Sequence, residues 1–432
     1  MPMSVAGPPH VLLITCHDLG RHLGCYGVDS VQTPNLDALA AAGLRFTRAY
    51  CTSPGCSPSR AALATGRYPH SNGVLGLAHH PFDWGLAPGE RHVASLLRDR
   101  GYETHLFGLQ HVTVGPPELL GFDRVYGRGT GRDVAGQVEA FLDGIAPARP
   151  LYLEVNLEEP HRPFDQGDVA PDTARGVRVP PYLPDTPATR EDVAGLQGAI
   201  READAAVGRI LAALERSGLA SATLVTFTTD HGLALPRAKC TLYDPGIETA
   251  LLLRWPGQGR AAGGVVDGLV SNVDFLPTLL EALGVPPPGN LQGRSYLPLL
   301  RGEGSSRDAI YAEKTYHSYY DPMRAIRTAR HKLIRNFETA FAVEVPGDVQ
   351  QGGAFRSDVA RYVATTHPAV ELYDLEADPL EERNVAGQPD TAALERELDA
   401  RLWAWMAETG DPLLAGPVSS PSYRRALEQR PG

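Results

Sequence analysis

A chain of 432 residues, 43% apolar and 21% charged, is long enough to bury a large core and has the composition of a soluble protein. Its formal net charge of −11 argues against wholesale binding to nucleic acid or an anionic membrane, so an anionic ligand must be caught by local positive charge. The opening MPMSVAGPPH has no basic segment followed by an apolar run, and VLLIT is too short for a signal core or a span, so a cytoplasmic protein is expected. Five cysteines, at positions 16, 25, 51, 56 and 240, give neither a disulfide framework nor a C-x-x-C zinc spacing.

In chain order, Val11 to Thr15 predicts a buried parallel strand ending in Cys16-His17-Asp18. Thr33-Pro34-Asn35 opens a helix that runs to Ala42 and stops at Gly43. A polar loop then leads into Cys56-Ser57-Pro58-Ser59-Arg60 and an Ala/Leu-rich helix, followed by a His-, Gly- and Pro-rich loop over 73–89. Helix is predicted for Arg91–Arg100 and Val134–Ile145, and strand for Tyr102–Phe107 and Leu151–Leu157. The two strands run into Gly108-Leu109-Gln110-His111 and Glu158-Glu159-Pro160-His161. A Pro-rich segment, 171–188, is expected on the surface. A helix over Arg190–Arg216 and a strand over Ala222–Thr228 follow, the strand ending in Thr229-Asp230-His231. Strand is then predicted for Thr249–Trp255 and helix for Asp274–Leu283. After Asp308 short strands (309–311, 323–328, 332–336, 370–373) precede one final helix, Asp390–Glu408.

Four predicted strands thus end in polar, chemistry-bearing residues. In an open α/β sheet ligands bind beyond the carboxyl ends of the strands, so these ends can converge on one site. The expected fold is a large, mostly parallel mixed sheet sandwiched by helices over 1–307, with a smaller α+β subdomain over 308–432.

At the Cys56 stretch, a thiol and a guanidinium four residues apart at a helix start meet unsatisfied backbone N–H groups, which makes an anion site; Pro58 fits the first turn. A half-buried Cys at an ordinary helix start has the same spacing. The full string CSPSRAALATGR resembles the signature of type I sulfatases, enzymes of the alkaline phosphatase superfamily. In these the Cys of C-x-P-S-R is oxidised to Cα-formylglycine by a formylglycine-generating enzyme. Within that family the stretches TPNLDALAAAGLRFTRAYCTSPGCSPSRAAL, GLQHV, EEPHR, TLYDPG, YYDPMRAIRT and ELYDLEADPLEERNVAG are most similar to the sulfamidase branch.

The resemblance implies a divalent metal held by His17, Asp18, Asp230, His231 and the formylglycine derived from Cys56. It also implies Arg60 and Lys239 as cations for the transferring group, His161 as the acid for the leaving group, and His111 as the base that helps expel sulfate. His17 departs from the Asp of the family, and Leu109 stands where the family has a Lys, a charge that Gln110 or another residue would have to replace. Calcium is the ion the resemblance implies, whereas two imidazoles favour Mn, Zn or Fe. The implied reaction is attack by one hydroxyl of the aldehyde hydrate on sulfur, followed by expulsion of sulfate by the second. His79, His80, Arg162, His317 and Arg324 are candidates for the leaving-group half. The substrate is expected to be small and anionic, and a homo-oligomer is possible. Two other readings are a phosphodiesterase or phosphonate monoester hydrolase of the same superfamily, and an inactive sulfate- or glycan-binding protein.

Overall fold

The structure is a computed structural model and describes residues 7–255, 262–303 and 307–430. The leading MPMSVA, read above for the absence of a leader, lies outside these residues. Among the described residues twelve strands fall into two sheets: β1 (His10–Cys16), β2 (Leu44–Tyr50), β3 (Glu103–Gly108), β4 (Arg124–Val125), β5 (Leu151–Asn156), β6 (Thr223–Thr229), β7 (Leu251–Arg254), β8 (Gly264–Ser271), β9 (Ala309–Tyr316), β10 (Tyr320–Thr328), β11 (His331–Asn336) and β12 (Val370–Asp374). The larger sheet has the order β4-β3-β5-β1-β6-β7-β2-β8. It is parallel except at β7, which runs against both its neighbours. The smaller sheet, β12-β11-β10-β9, is antiparallel throughout.

The central strand shows why its sequence is apolar without alternation. Leu12, Ile14 and Cys16 pack into one hydrophobic cluster and Val11 and Leu13 into another, one on each face of the sheet. Leu12 is fully buried, and truncating it to Ala would cost about 2–5 kcal/mol. Helices α1 (Pro34–Ala42), α4 (Gly131–Leu142) and α5 (Pro187–Arg216) cover the first face; α2 (Cys56–Thr65), α3 (Val93–Arg98) and α6 (Phe275–Ala282) cover the second. Thr186 caps α5 through Thr189 N–H, so that helix begins at Pro187, inside the Pro-rich segment.

The expected mixed, mostly parallel sheet flanked by helices, with a smaller sheet toward the C-terminus, is the architecture observed. Three strands escaped the sequence reading. β2 alternates imperfectly because Arg45 and Arg48 interrupt it, β8 is broken by Gly264, Asp267 and Gly268, and β4 has only two residues. The helix expected to be final, Asp390–Glu408, is α7 (Ala392–Thr409), and a further helix, α8 (Pro421–Glu428), capped by Ser420, follows it. A third cluster, including Tyr50, Leu242, Ile247, Ile310, Met323 and Ile334, joins the two sheets in one core.

Candidate active site

Register explains the convergence. β1 and β6 pair in parallel with Cys16 opposite Thr229, so His17-Asp18 and Asp230-His231 leave the sheet side by side. β5 pairs with β1 on the other side and β3 with β5, with Gly108 opposite Asn156. The loops after β5 and β3 carry His161 and His111 to the same rim. Asp18 adopts a left-handed backbone, φ 51°, and its N–H donates to Oδ1 of Asp230 at 2.9 Å. That oxygen also accepts from His231 N–H at 2.8 Å. The two strand ends are therefore tied through one carboxylate.

Cys56 is the first residue of α2, after the extended Gly55, and is 2% exposed. Its Sγ lies 3.3 Å from His231 Nε2 and 4.0 Å from Asp18 Oδ1. One helical turn on, Arg60 donates from Nε to Asp230 Oδ2 (3.1 Å) and from Nη1 to Thr15 Oγ1 (2.7 Å), while its Nη2 is buried without a partner. Lys239 enters from a loop in which Arg237 and Cys240 both have positive φ. Its Nζ sits 2.8 Å from Asp18 Oδ2 and 3.4 Å from His161 Nε2. The His17 ring lies 4.8 Å from that of His161 and 5.7 Å from that of His111. All nine candidate site residues are thus brought to one place.

The electrostatics follow from burying these charges together. Burial alone would raise the Cys56 thiol, but His17, Lys239 and His231 outweigh it and hold the group well below its ordinary value. Burial would lower His17, yet Cys56, Asp230 and Asp18 push it up to about 9. His231 is likewise raised by Asp230, Cys56 and Asp18 against its burial. His111 is held at about 4, first by desolvation, and its Nδ1 has no partner. His161 is lowered by burial and then by Lys239.

Ligand atoms of His17, Asp18, Cys56, Asp230 and His231 all lie within 4.8 Å of one another, and all five residues are buried. Two carboxylates, two imidazoles and one sulfur or oxygen make a donor set that fits a divalent cation. The unpartnered Arg60 Nη2 and His111 Nδ1 are consistent with a further polar group beside it.

The leaving-group candidates separate. His79 stacks on His111, with centroids 5.3 Å apart, and His317 is buried against Cys240, Cys56 and Glu344. His80 projects into solvent, its side chain 85% exposed. Arg162 is instead paired with Asp192 at 2.7 Å, and Arg324 is fully buried against Asp411 at 2.6 Å, so both guanidinia are occupied in ion pairs. Gln110 does not stand in for the missing Lys: its amide folds back onto Val112, Thr113 and their loop. One residue had no signal in the sequence. Asp348, from an unremarkable turn, places Oδ2 2.8 Å from Lys239 Nζ.

Five buried donors that could hold a divalent cation, a thiol at a helix start and two cations at the carboxyl end of a mostly parallel sheet are the kind of site a hydrolase of anionic esters needs. A family model described as Sulfatase matches residues 9–285, and one described as N-sulphoglucosamine sulphohydrolase, C-terminal, matches 233–351. The chain belongs to the sulfatase family and is a sulfuric ester or sulfamate hydrolase. N-sulphoglucosamine sulphohydrolase of Homo sapiens is 30% identical, over 95% of this chain and 92% of that protein. Arylsulfatase A of Homo sapiens is 34% identical, over 89% of this chain and 85% of its own length. Among solved structures, a 2-O GAG sulfatase superposes with a TM-score of 0.74 at 21% identity, covering 99% of this chain and 97% of that one. No helix of the described residues is long and apolar enough to cross a membrane.

Proposed function

We propose that the protein hydrolyses the S–O or S–N bond of a small sulfated substrate, with Cys56 converted to Cα-formylglycine by a formylglycine-generating enzyme. The observation that carries this reading is the position of Cys56 Sγ at the start of α2, within the group of five donors whose ligand atoms lie within 4.8 Å. His17, Asp18, Asp230 and His231 would hold the metal together with the modified Cys56. The mixed donor set suits Mn, Zn or Fe as well as the Ca usual for oxygen ligands. When bound, the ion acts as a Lewis acid on the sulfuryl oxygens, and the aldehyde hydrate supplies the nucleophilic hydroxyl.

The chain's own residues do the remaining work. Arg60 and Lys239 offset the negative charge of the group in transfer. His161 donates from Nδ1 to the Arg162 carbonyl, and when protonated at Nε2 as well it would give that proton to the leaving oxygen or nitrogen. His111, neutral at pH 7 through burial, is suited to take a proton from the hydrate. We further propose a boundary at 307/308, supported by β9, which begins the separate antiparallel sheet at Ala309.

The human sulphohydrolase relative makes sulfamates the first class to assay, beside aryl sulfates. The two imidazoles of the metal cluster and the neutral Leu109 favour one second reading, phosphodiester or phosphonate monoester hydrolysis. Rates of purified enzyme on an aryl sulfate, a sulfamate and an aryl phosphodiester test the proposal, with bound metal measured by elemental mass spectrometry. Sulfate or sulfamate turnover that disappears in Cys56→Ala supports it; preference for the phosphodiester by an order of magnitude or more overturns it.

A further inference from the structure

A second cavity, of about 660 Å³, lies where the loop after β1 meets β2, the 178–182 segment and the C-terminal sheet. None of the nine site residues lines it. Five arginines do (21, 45, 48, 178 and 327), against three carboxylates. Those carboxylates are already engaged: Glu248 with Arg21 at 2.6 Å, Asp244 with Arg327 at 2.8 Å and Lys332 at 2.6 Å, and Glu376 with Arg330 at 3.5 Å. Arg48 pairs outward with Asp267 at 3.1 Å. Among the described residues, Arg45 and Arg178 pair with no carboxylate. Arg45 lies over the ring of Tyr26, 5.4 Å from its centroid, and the Arg178 guanidinium donates to the Gly27 carbonyl at 3.1 Å.

Two buried polar groups on the same lining also lack partners among the described residues. His22 is 8% exposed with Nε2 unpaired, and Tyr182 is 9% exposed with its hydroxyl unpaired. Leaving a buried polar group without a partner is costly, so such groups are ordinarily satisfied. Surplus positive charge in a chain of net charge −11, aromatic walls from Tyr26, Tyr50 and Tyr182, and unpaired polar atoms in one cavity describe a ligand that is anionic, hydroxylated and ring-shaped. The volume falls within the range of small-molecule sites.

We propose that this cavity binds an acidic sugar unit, with Arg45 and Arg178 taking its carboxylate or sulfate and His22 and Tyr182 taking its hydroxyls. The site is separate from the Cys56 centre and its readout is binding, so it stands or falls independently of turnover. The test is calorimetric titration of the full-length protein with glucuronate, glucose 6-sulfate and glucose. Hydrogen–deuterium exchange of the wild-type protein with each sugar accompanies it. Either acidic sugar is expected to bind and to protect the peptides covering 20–28 and 175–183. Arg45→Gln with Arg178→Gln should weaken that binding at least about tenfold, the loss of one charge-assisted contact or more. Comparing the two acids identifies the preferred anion. Equal binding of glucose, absence of binding at millimolar concentration, or protection confined to the Cys56 helix would overturn the proposal. So would unchanged affinity in a double variant that melts like the wild type.

Discussion

Nζ of Lys239 lies 2.8 Å from Oδ2 of Asp348, a carboxylate that reaches the site from 109 residues further along the chain. The same oxygen is 3.8 Å from Nε2 of His161. Lys239 holds Asp348 ionised against its burial, and the carboxyl is shifted below its ordinary range. An incoming sulfate must share Lys239 with this carboxylate or displace it. Asp348→Asn is therefore expected to lower KM for a sulfate ester about three- to tenfold, the factor given by relief of roughly 1 kcal/mol of repulsion. The gain should shrink as salt is raised. Steady-state kinetics at two ionic strengths check this, and a higher KM in the variant would show that Asp348 recognises the substrate instead.

Lys239 also bonds Asp18 Oδ2 at 2.8 Å, while Oδ1 of that carboxylate faces His231 at 3.0 Å. On the proposed reading, one cation serves both the bound anion and a carboxylate that would hold the metal. Lys239→Met should lower kcat/KM by about 10²–10³, the scale set by removal of one stabilising donor, and should also weaken retention of the metal. Activity and metal content measured on the same preparation separate the two effects.

His161 as the acid has a signature of its own. In His161→Gln, substrates with a good leaving group, such as nitrophenyl sulfate, should lose far less rate than alkyl sulfates or sulfamates, which need the proton; the difference is expected at about 10²-fold. Uniform loss across leaving groups would assign His161 to sulfate binding alone.

Beside the site, Lys314 is buried between Asp321 and Glu344, 2.8 Å from each. Burial would raise Glu344, but Lys314 and His317 bring it down to about 2 from its ordinary 4.5. Because the folded value is depressed, the stabilisation is complete above pH 4.5 and is lost as pH falls toward 2. It amounts to about 3 kcal/mol at roughly 1.4 kcal/mol per pH unit. Glu344→Gln should remove that part of the acid sensitivity, and should cost about 3–5 kcal/mol near neutrality by leaving Lys314 with one partner fewer. Thermal melts between pH 2 and 7 measure both.

Much of the site was legible because His17, Asp18, His111, His161, Asp230 and His231 come soon after buried strands, while Cys56, Arg60 and Lys239 stand in motifs of their own. The runs Val11–Thr15, Tyr102–Phe107, Leu151–Leu157 and Ala222–Thr228 announce themselves as strands, the structure ends them within a residue of those bounds, and the polar residues after them are bound to lie at the sheet's carboxyl rim. What could not be read were contacts between distant segments. Nothing local marks Asp348, and nothing near Arg162 or Arg324 shows that Asp192 and Asp411 already hold them. β2 was hidden for a related reason. Its outward arginines, Arg45 and Arg48, blur the alternation, and they do so because the fold sets one face of that strand against a polar cavity.

Cys56, as the proposed precursor of the nucleophile, should be an aldehyde in the active enzyme. Mass spectrometry of the tryptic peptide Ala49–Arg60 tests it most directly, on protein made beside a formylglycine-generating enzyme and compared with protein made without one. The account predicts that Cys56 in the first sample carries an aldehyde or its hydrate while Cys51 stays a thiol, and that sulfatase activity scales with the modified fraction. An unmodified Cys56 in fully active enzyme would contradict it.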